Sequence, residues 1–182
     1  MERKKLAIGG VGLVALGVVV LTMGKNEQMK RDQLDPRTPT EPDLDIRLRV
    51  VNAAISQIGP QDPQRYWQDV IPEHPGFSGE WCGGFALWAI RQAGIAQDVH
   101  WKMGLGFCYQ LPVISSPLPG DIAYFDKPYQ HHAIVESVLH GMVNTIDGNQ
   151  PGDTVARRTR PVESVTAFYS IDPFIRADTI NV

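Results

Sequence analysis

The first apolar pattern in this chain is an unbroken one. Residues 6–23 carry no charged side chain and leave no polar face on a helix. As a helix the run spans roughly 27 Å, close to the hydrocarbon core of a bilayer. Its four glycines are better tolerated in a membrane helix than in a soluble one. A buried soluble helix fits poorly, because the run is N-terminal and apolar all round. A cleaved signal peptide has a shorter apolar core and a small-x-small cleavage site, and Leu21-Thr22-Met23-Gly24 matches that poorly. The pattern therefore predicts one uncleaved transmembrane helix at 6–23. Residues 1–5 are basic and belong on the cytoplasmic side, which places the remainder outside as a single-pass protein.

Residues 24–42 are polar and contain Pro36, Pro39 and Pro42, the composition of a semi-extended tether. The folded domain is predicted over 43–182. Within it, Ile46, Val50, Ala53 and Ala54 keep helical spacing over 43–58, with Gln57 a polar last member and Gly59-Pro60 a stop. Residues 61–80 are rich in Pro, Gly, Trp and Tyr and read mainly as loop. Over 81–93, Phe85, Ala86, Ala89, Ile90 and Ala93 line one helical face, with Gly94 beyond the end. After Pro119-Gly120 the period shortens to two. Strands are predicted at 121–125, 131–138, 142–146, 155–160 and 165–169, with His140-Gly141 as a turn. Helices followed by consecutive short strands make an α+β domain, helices packed on a small antiparallel sheet. No internal repeat is visible.

Length and composition agree with one domain plus appendages: 182 residues, 43% hydrophobic and 20% charged. The net charge of -3 argues against nucleic acid as a partner, since phosphate binding needs a basic surface. Arg157, Arg158 and Arg160 read as a solvated strand face. Two cysteines, Cys82 and Cys108, are too few for a disulfide framework, though one bridge in an oxidising compartment stays open.

The chemistry-bearing residues are few. Cys82 opens the second predicted helix and is followed by Gly83-Gly84. A thiol there feels the positive end of the helix dipole, which favours thiolate. The glycines would admit a substrate backbone, and nearby amides could hold an oxyanion. His131 and His132 open a strand; alternation points them to opposite faces, so only one should face Cys82. The shared face of His131, Ala133 and Val135, with small Ala133 leaving room for the nucleophile helix, favours His131. His132 should then tolerate Val or Gln. Asp147-Gly148-Asn149 follows an apolar strand and offers an acceptor to fix an imidazole, although the same triplet is an ordinary turn sequence. Cys82, His131, His132, His140 and Asp147 also hold zinc-ligating atoms, but without a Cys-x-x-Cys pair or His-x-x-x-His at helical spacing.

Four segments in order carry a family resemblance. Trp81-Cys82-Gly83-Gly84-Phe85-Ala86-Leu87-Trp88 resembles the nucleophile helix of the CHAP family, the cysteine- and histidine-dependent amidohydrolases/peptidases. Pro119-Gly120-Asp121-Ile122-Ala123-Tyr124-Phe125 resembles its Pro-Gly-Asp strand. Gln130-His131-His132-Ala133-Ile134-Val135-Glu136 resembles its His-Val-Gly-Ile-Val strand. Ile146-Asp147-Gly148-Asn149, trailed by Arg157-Arg158, resembles its Glu-Gly-Asn segment. The resemblance covers residues 45–172 and implies a papain-like core. It implies Cys82 as nucleophile, His131 as base, and Asn149 or Asp147 as the group orienting the imidazole. His132 falls where the family has an apolar residue, and Asp147 where Glu is usual. The implied activity is peptidoglycan hydrolysis, at the sugar–peptide amide or within the stem peptide, with no cofactor. Another papain-like amide hydrolase, such as one acting on glutathionylspermidine, and a non-catalytic wall-binding module are the rival readings. The implied partners are peptidoglycan and, through residues 6–23, a membrane, which in a virus would be the virion's.

Overall fold

A computed structural model describes residues 37–179, apart from Met103. The predicted anchor at 6–23 and its basic start lie outside the described residues. Among the described residues, no helix is long and apolar enough to cross a membrane.

Helix α1 (Glu41–Ile55) begins two residues ahead of the predicted 43. Thr40 sets the start: its hydroxyl accepts the Asp43 amide at 3.4 Å, and the Asp43 carboxylate accepts the Thr40 amide at 3.0 Å. This reciprocal box satisfies two amides that the helix cannot, and Pro42 loses nothing in the first turn. The two-residue strand β1 (Gly59–Pro60) follows. The stretch predicted as loop holds a short helix, α2 (Gln64–Val70), which buries Tyr66, Trp67 and Val70. Helix α3 (Cys82–Gln92) is buried from Cys82 to Ile90 and packs against α1, α2 and the sheet.

The sheet adds β2 (Val113–Ile114), β3 (Ile122–Phe125), β4 (His131–Leu139), β5 (Met142–Gln150), β6 (Thr154–Pro161) and β7 (Ala167–Tyr169). Its order is β1-β6-β5-β4-β3-β7-β2, with every neighbouring pair antiparallel. A helix absent from the sequence reading, α4 (Asp172–Thr179), follows. Strand β5 is longer than predicted and runs through Asp147-Gly148-Asn149. The register against β6 shifts between Asp147 and Gln150, and Asn149 takes a φ of 55° there. Asn accepts left-handed backbone more readily than most residues, so this bulge is cheap.

The sheet is covered on both faces. Ile122, Tyr124, Ile134 and Ile146 join the core formed with the helices. Ala123, Phe125, Ala133, Val135, Val143 and Phe168 form a smaller apolar layer on the other face. At Gly148 a Cβ would stand 2.8 Å from Phe85, so the α3–β5 approach depends on glycine.

One buried charge cluster ties the termini of this domain to the sheet. Arg47 on α1 is fully buried and meets Asp121 at 2.9 Å and Asp172 at the start of α4. It also donates to the Pro119 carbonyl at 3.0 Å. Asp121 in turn accepts the amides of Leu118 at 2.8 Å and Ile171 at 3.1 Å. The Pro-Gly-Asp segment is thus a structural clamp. Asp121→Ala would remove one of the guanidinium's two carboxylates and leave two amides without their acceptor. The expected loss is on the order of 3 kcal/mol, the low end for a broken buried pair because Asp172 remains. A lowered urea midpoint with an unchanged slope is the reading expected; an unshifted midpoint would show that the clamp is not stabilising.

Candidate active site

The first residue of α3 is Cys82, 4% exposed. It stands at the positive end of a helix whose cap, Trp81, offers no side-chain hydrogen bond. The two glycines behind it serve packing. A Cβ on Gly83 would lie 2.3 Å from the Trp101 ring and 3.2 Å from His132 Nδ1, and one on Gly84 would lie 3.0 Å from Trp67. A side chain at either position would meet an indole ring.

Both histidines reach the thiol, contrary to the expectation that only one could. His132 Nδ1 lies 4.0 Å from Cys82 Sγ, and its Nε2 lies 3.0 Å from the Leu105 carbonyl oxygen. His131 Nε2 lies 2.8 Å from Asp147 Oδ2, and hydrogen bonding and charge from His131 lower the thiol's titration. The facial argument also fails. Helix α3 packs on the face of His132, Ile134 and Ile146, whereas Ala133 and Val135 face the smaller layer. His131 is the first residue of β4, and its hydrogen bonding and charge still bear on the thiol.

Asp147 is fully buried. Besides His131, its carboxylate accepts from Thr145 Oγ1 at 2.5 Å and from Arg160 at 2.5 Å. Arg160, assigned from sequence to a solvated face, thus braces the carboxylate. Its signal was the period-two spacing along β6, which places it beside Val143 and Thr145 only once the register with β5 is known. Asn149 takes no part in orienting an imidazole here. Its amide donates to the Glu80 carboxylate across the cleft.

These contacts set the charge state. Burial pushes the Cys82 thiol up, but hydrogen bonds and charge from His131 and His132 outweigh it and bring the thiol down to about 6. Burial likewise works against a charged His131, yet Asp147 and Cys82 raise it to about 9. Burial alone would raise Asp147; its bonds to His131, Arg160 and Thr145 hold it below the usual carboxylate range. Both shifts run in the direction of a thiolate beside an imidazolium. Cys108 is buried with its thiol pushed up by burial, and both cysteines are free.

Two hollows adjoin the site, one at the sulfur and one at His131. One of about 360 Å³ is lined by Trp67, Phe77, Cys82, Trp101, Gly104 and His132, among others. The other, of about 730 Å³, is lined by Phe125, Lys127, His131, Asn149, Asp153 and Arg160, among others. Glu80, Tyr129 and Gln130 border both. The fifth residue weighed as a zinc ligand, His140, lies at the far end of β4, roughly 30 Å from His131 at the rise of a strand. No group of three or more candidate metal ligands occurs among the described residues.

An ionised thiol with a proton-carrying imidazole beside it is equipped for acyl transfer: the sulfur attacks, the ring protonates the leaving group. No curated protein and no solved structure matches the chain. The family model described as the CHAP domain does match, over residues 74–149, the stretch that holds Cys82, both histidines, Asp147 and Asn149.

Proposed function

We propose that this domain is a cysteine-dependent amidohydrolase or peptidase that cuts peptidoglycan. The observation that carries the reading is the Cys82 sulfur at the start of α3, flanked by imidazoles, one of which is braced by a buried carboxylate. The Cys82 thiolate attacks an amide carbonyl carbon. The oxyanion is held by first-turn amides of α3, which have no acceptor within the helix. His131 gives its proton to the leaving amine as the C–N bond breaks. Neutral His131 then takes a proton from water, which attacks the thioester and releases the acyl group. Asp147 keeps the ring oriented throughout. Neither step calls for a metal or an organic cofactor.

The match to the CHAP domain supports peptidoglycan as the substrate class. A single-pass anchor at residues 6–23, with the domain outside the cytoplasm, is the topology proposed with it. It would keep the enzyme against the wall. The experiment is zymography of the full chain on purified walls under reducing conditions, followed by mass spectrometry of the released muropeptides. A cleared band with a new free amine or carboxyl at one defined linkage is expected. Intact walls of every stem-peptide type tried would overturn the reading.

A further inference from the structure

We propose that His132 is a second catalytic imidazole, which holds the Cys82 sulfur by an Nδ1–H hydrogen bond whenever that sulfur carries negative charge. The inference rests on the reading of Cys82 as nucleophile and adds a role that this reading leaves empty.

The argument starts from what each ring nitrogen faces. Nε2 lies 3.0 Å from the Leu105 carbonyl oxygen and Nδ1 lies 4.0 Å from Cys82 Sγ. A carbonyl oxygen and a thiolate are both acceptors only. A neutral imidazole has one N–H and can serve one of them; a ring between two acceptors is satisfied when both nitrogens are protonated. The placement is built rather than incidental. His132 is 2% exposed, and the rings of Tyr124, Trp101 and Phe107 surround it at centroid distances of 5.2, 6.2 and 6.4 Å. Glycine at 83 keeps the path to the sulfur open, since a Cβ there would stand 3.2 Å from Nδ1.

The chemistry supplies the need. In the second step His131 has one nitrogen on Asp147, so the other must receive the proton of water. While it does so it has no N–H to offer the sulfur. Water's oxygen forms the new C–O bond, its proton passes to His131, the C–S bond breaks, and the electron pair stays on sulfur. His132 donates to that departing thiolate and keeps its own proton, so the step balances with both rings in use. The titratable groups around the pair are His131 on β4, Tyr124 on β3, Cys108 beyond Tyr124, and Glu80 at the rim of the hollow.

The test reads the thiol and needs no wall substrate. The full chain is alkylated with iodoacetamide across a pH series, and the peptide holding Cys82 is followed by mass spectrometry. In the unaltered protein half-maximal reactivity is expected near the thiol's own value of about 6. His132→Phe keeps an aromatic ring in the same packing. It should move the midpoint up by about one pH unit or more, the scale of a lost hydrogen bond to a charged group. Turnover should fall about tenfold in kcat, with KM little changed. His132→Asn, whose amide can still donate near the Nδ1 position, should recover part of both. If circular dichroism shows His132→Phe unfolded, nitrogen NMR of the unaltered chain decides, with a protonated Nδ1 expected at His132. A midpoint and kcat unchanged in His132→Phe, or a bare Nδ1 in the spectrum, would overturn the proposal and leave Cys82 as nucleophile. Full turnover by Cys82→Ala would remove the nucleophile reading itself, whatever the alkylation series shows.

Discussion

Replacing Cys82 with alanine should abolish wall hydrolysis and leave the domain folded. The side chain is the first of α3, where alanine is at least as good a helix former, and only a sulfur's worth of volume is lost. The urea midpoint should correspond to a change within about 1 kcal/mol. Activity has no such tolerance. With no atom to form the acyl bond, turnover should fall by at least about 10⁴-fold, the scale seen when a covalent nucleophile is deleted. The contrast is Cys108→Ser. Cys108 is buried, its thiol is pushed up by burial, and it is not bridged to Cys82. That protein should lose some stability, because a hydroxyl is buried in its place, but keep its specific activity. Substantial turnover by folded Cys82→Ala would remove the mechanism proposed for this site.

How much of this site could be read from sequence depends on how local each contact is. Helices α1 and α3 were legible because their apolar residues repeat at the helical period over three turns or more. Helix α2 was not, since its buried Tyr66, Trp67 and Val70 give one stripe in seven residues, among prolines and glycines that signal loop. Strand β5 was cut short because Asp147-Gly148-Asn149 has turn composition, whereas the bulge at Asn149 lets the strand continue. The choice of sheet face failed for a different reason. Ala133, Ile134 and Val135 are all fully buried, so both faces of β4 are covered and alternation carries no label for the side that meets α3. Arg160 on Asp147 and Asn149 on Glu80 join segments 13 and 69 residues apart. Such pairs follow from strand register and chain path, which no local spacing encodes. Residues placed by a short motif on one element, Cys82 and the two histidines, were the ones within reach.

Activity against pH should trace a plateau from about 6 to about 9, and Asp147→Asn should pull in its alkaline side. The acid limb is the Cys82 thiol, at about 6: below it the sulfur is protonated and cannot attack. The alkaline limb is His131, at about 9: above it the ring has no proton for the leaving amine. The two limbs belong to the coupled pair rather than to either group alone. Asp147 raises the imidazole, so an uncharged amide in its place lowers the alkaline limb toward the 6.5 of an unassisted imidazole. Loss of the same imidazolium also relaxes its support of the thiolate, so the acid limb should rise and the plateau should narrow from both sides. His131→Ala goes further and removes the proton carrier, which should lower kcat by about a hundredfold or more. In stability the two shifts oppose each other, because the lowered Cys82 thiol adds stability as pH rises from about 6 toward 9. His131 titrates higher in the fold than its ordinary value, so the stability it adds is whole below pH 6.5 and fades as pH rises through about 9. An alkaline limb that stays in place in folded Asp147→Asn would mean that the carboxylate does not hold the imidazolium, and that Arg160 takes its whole charge.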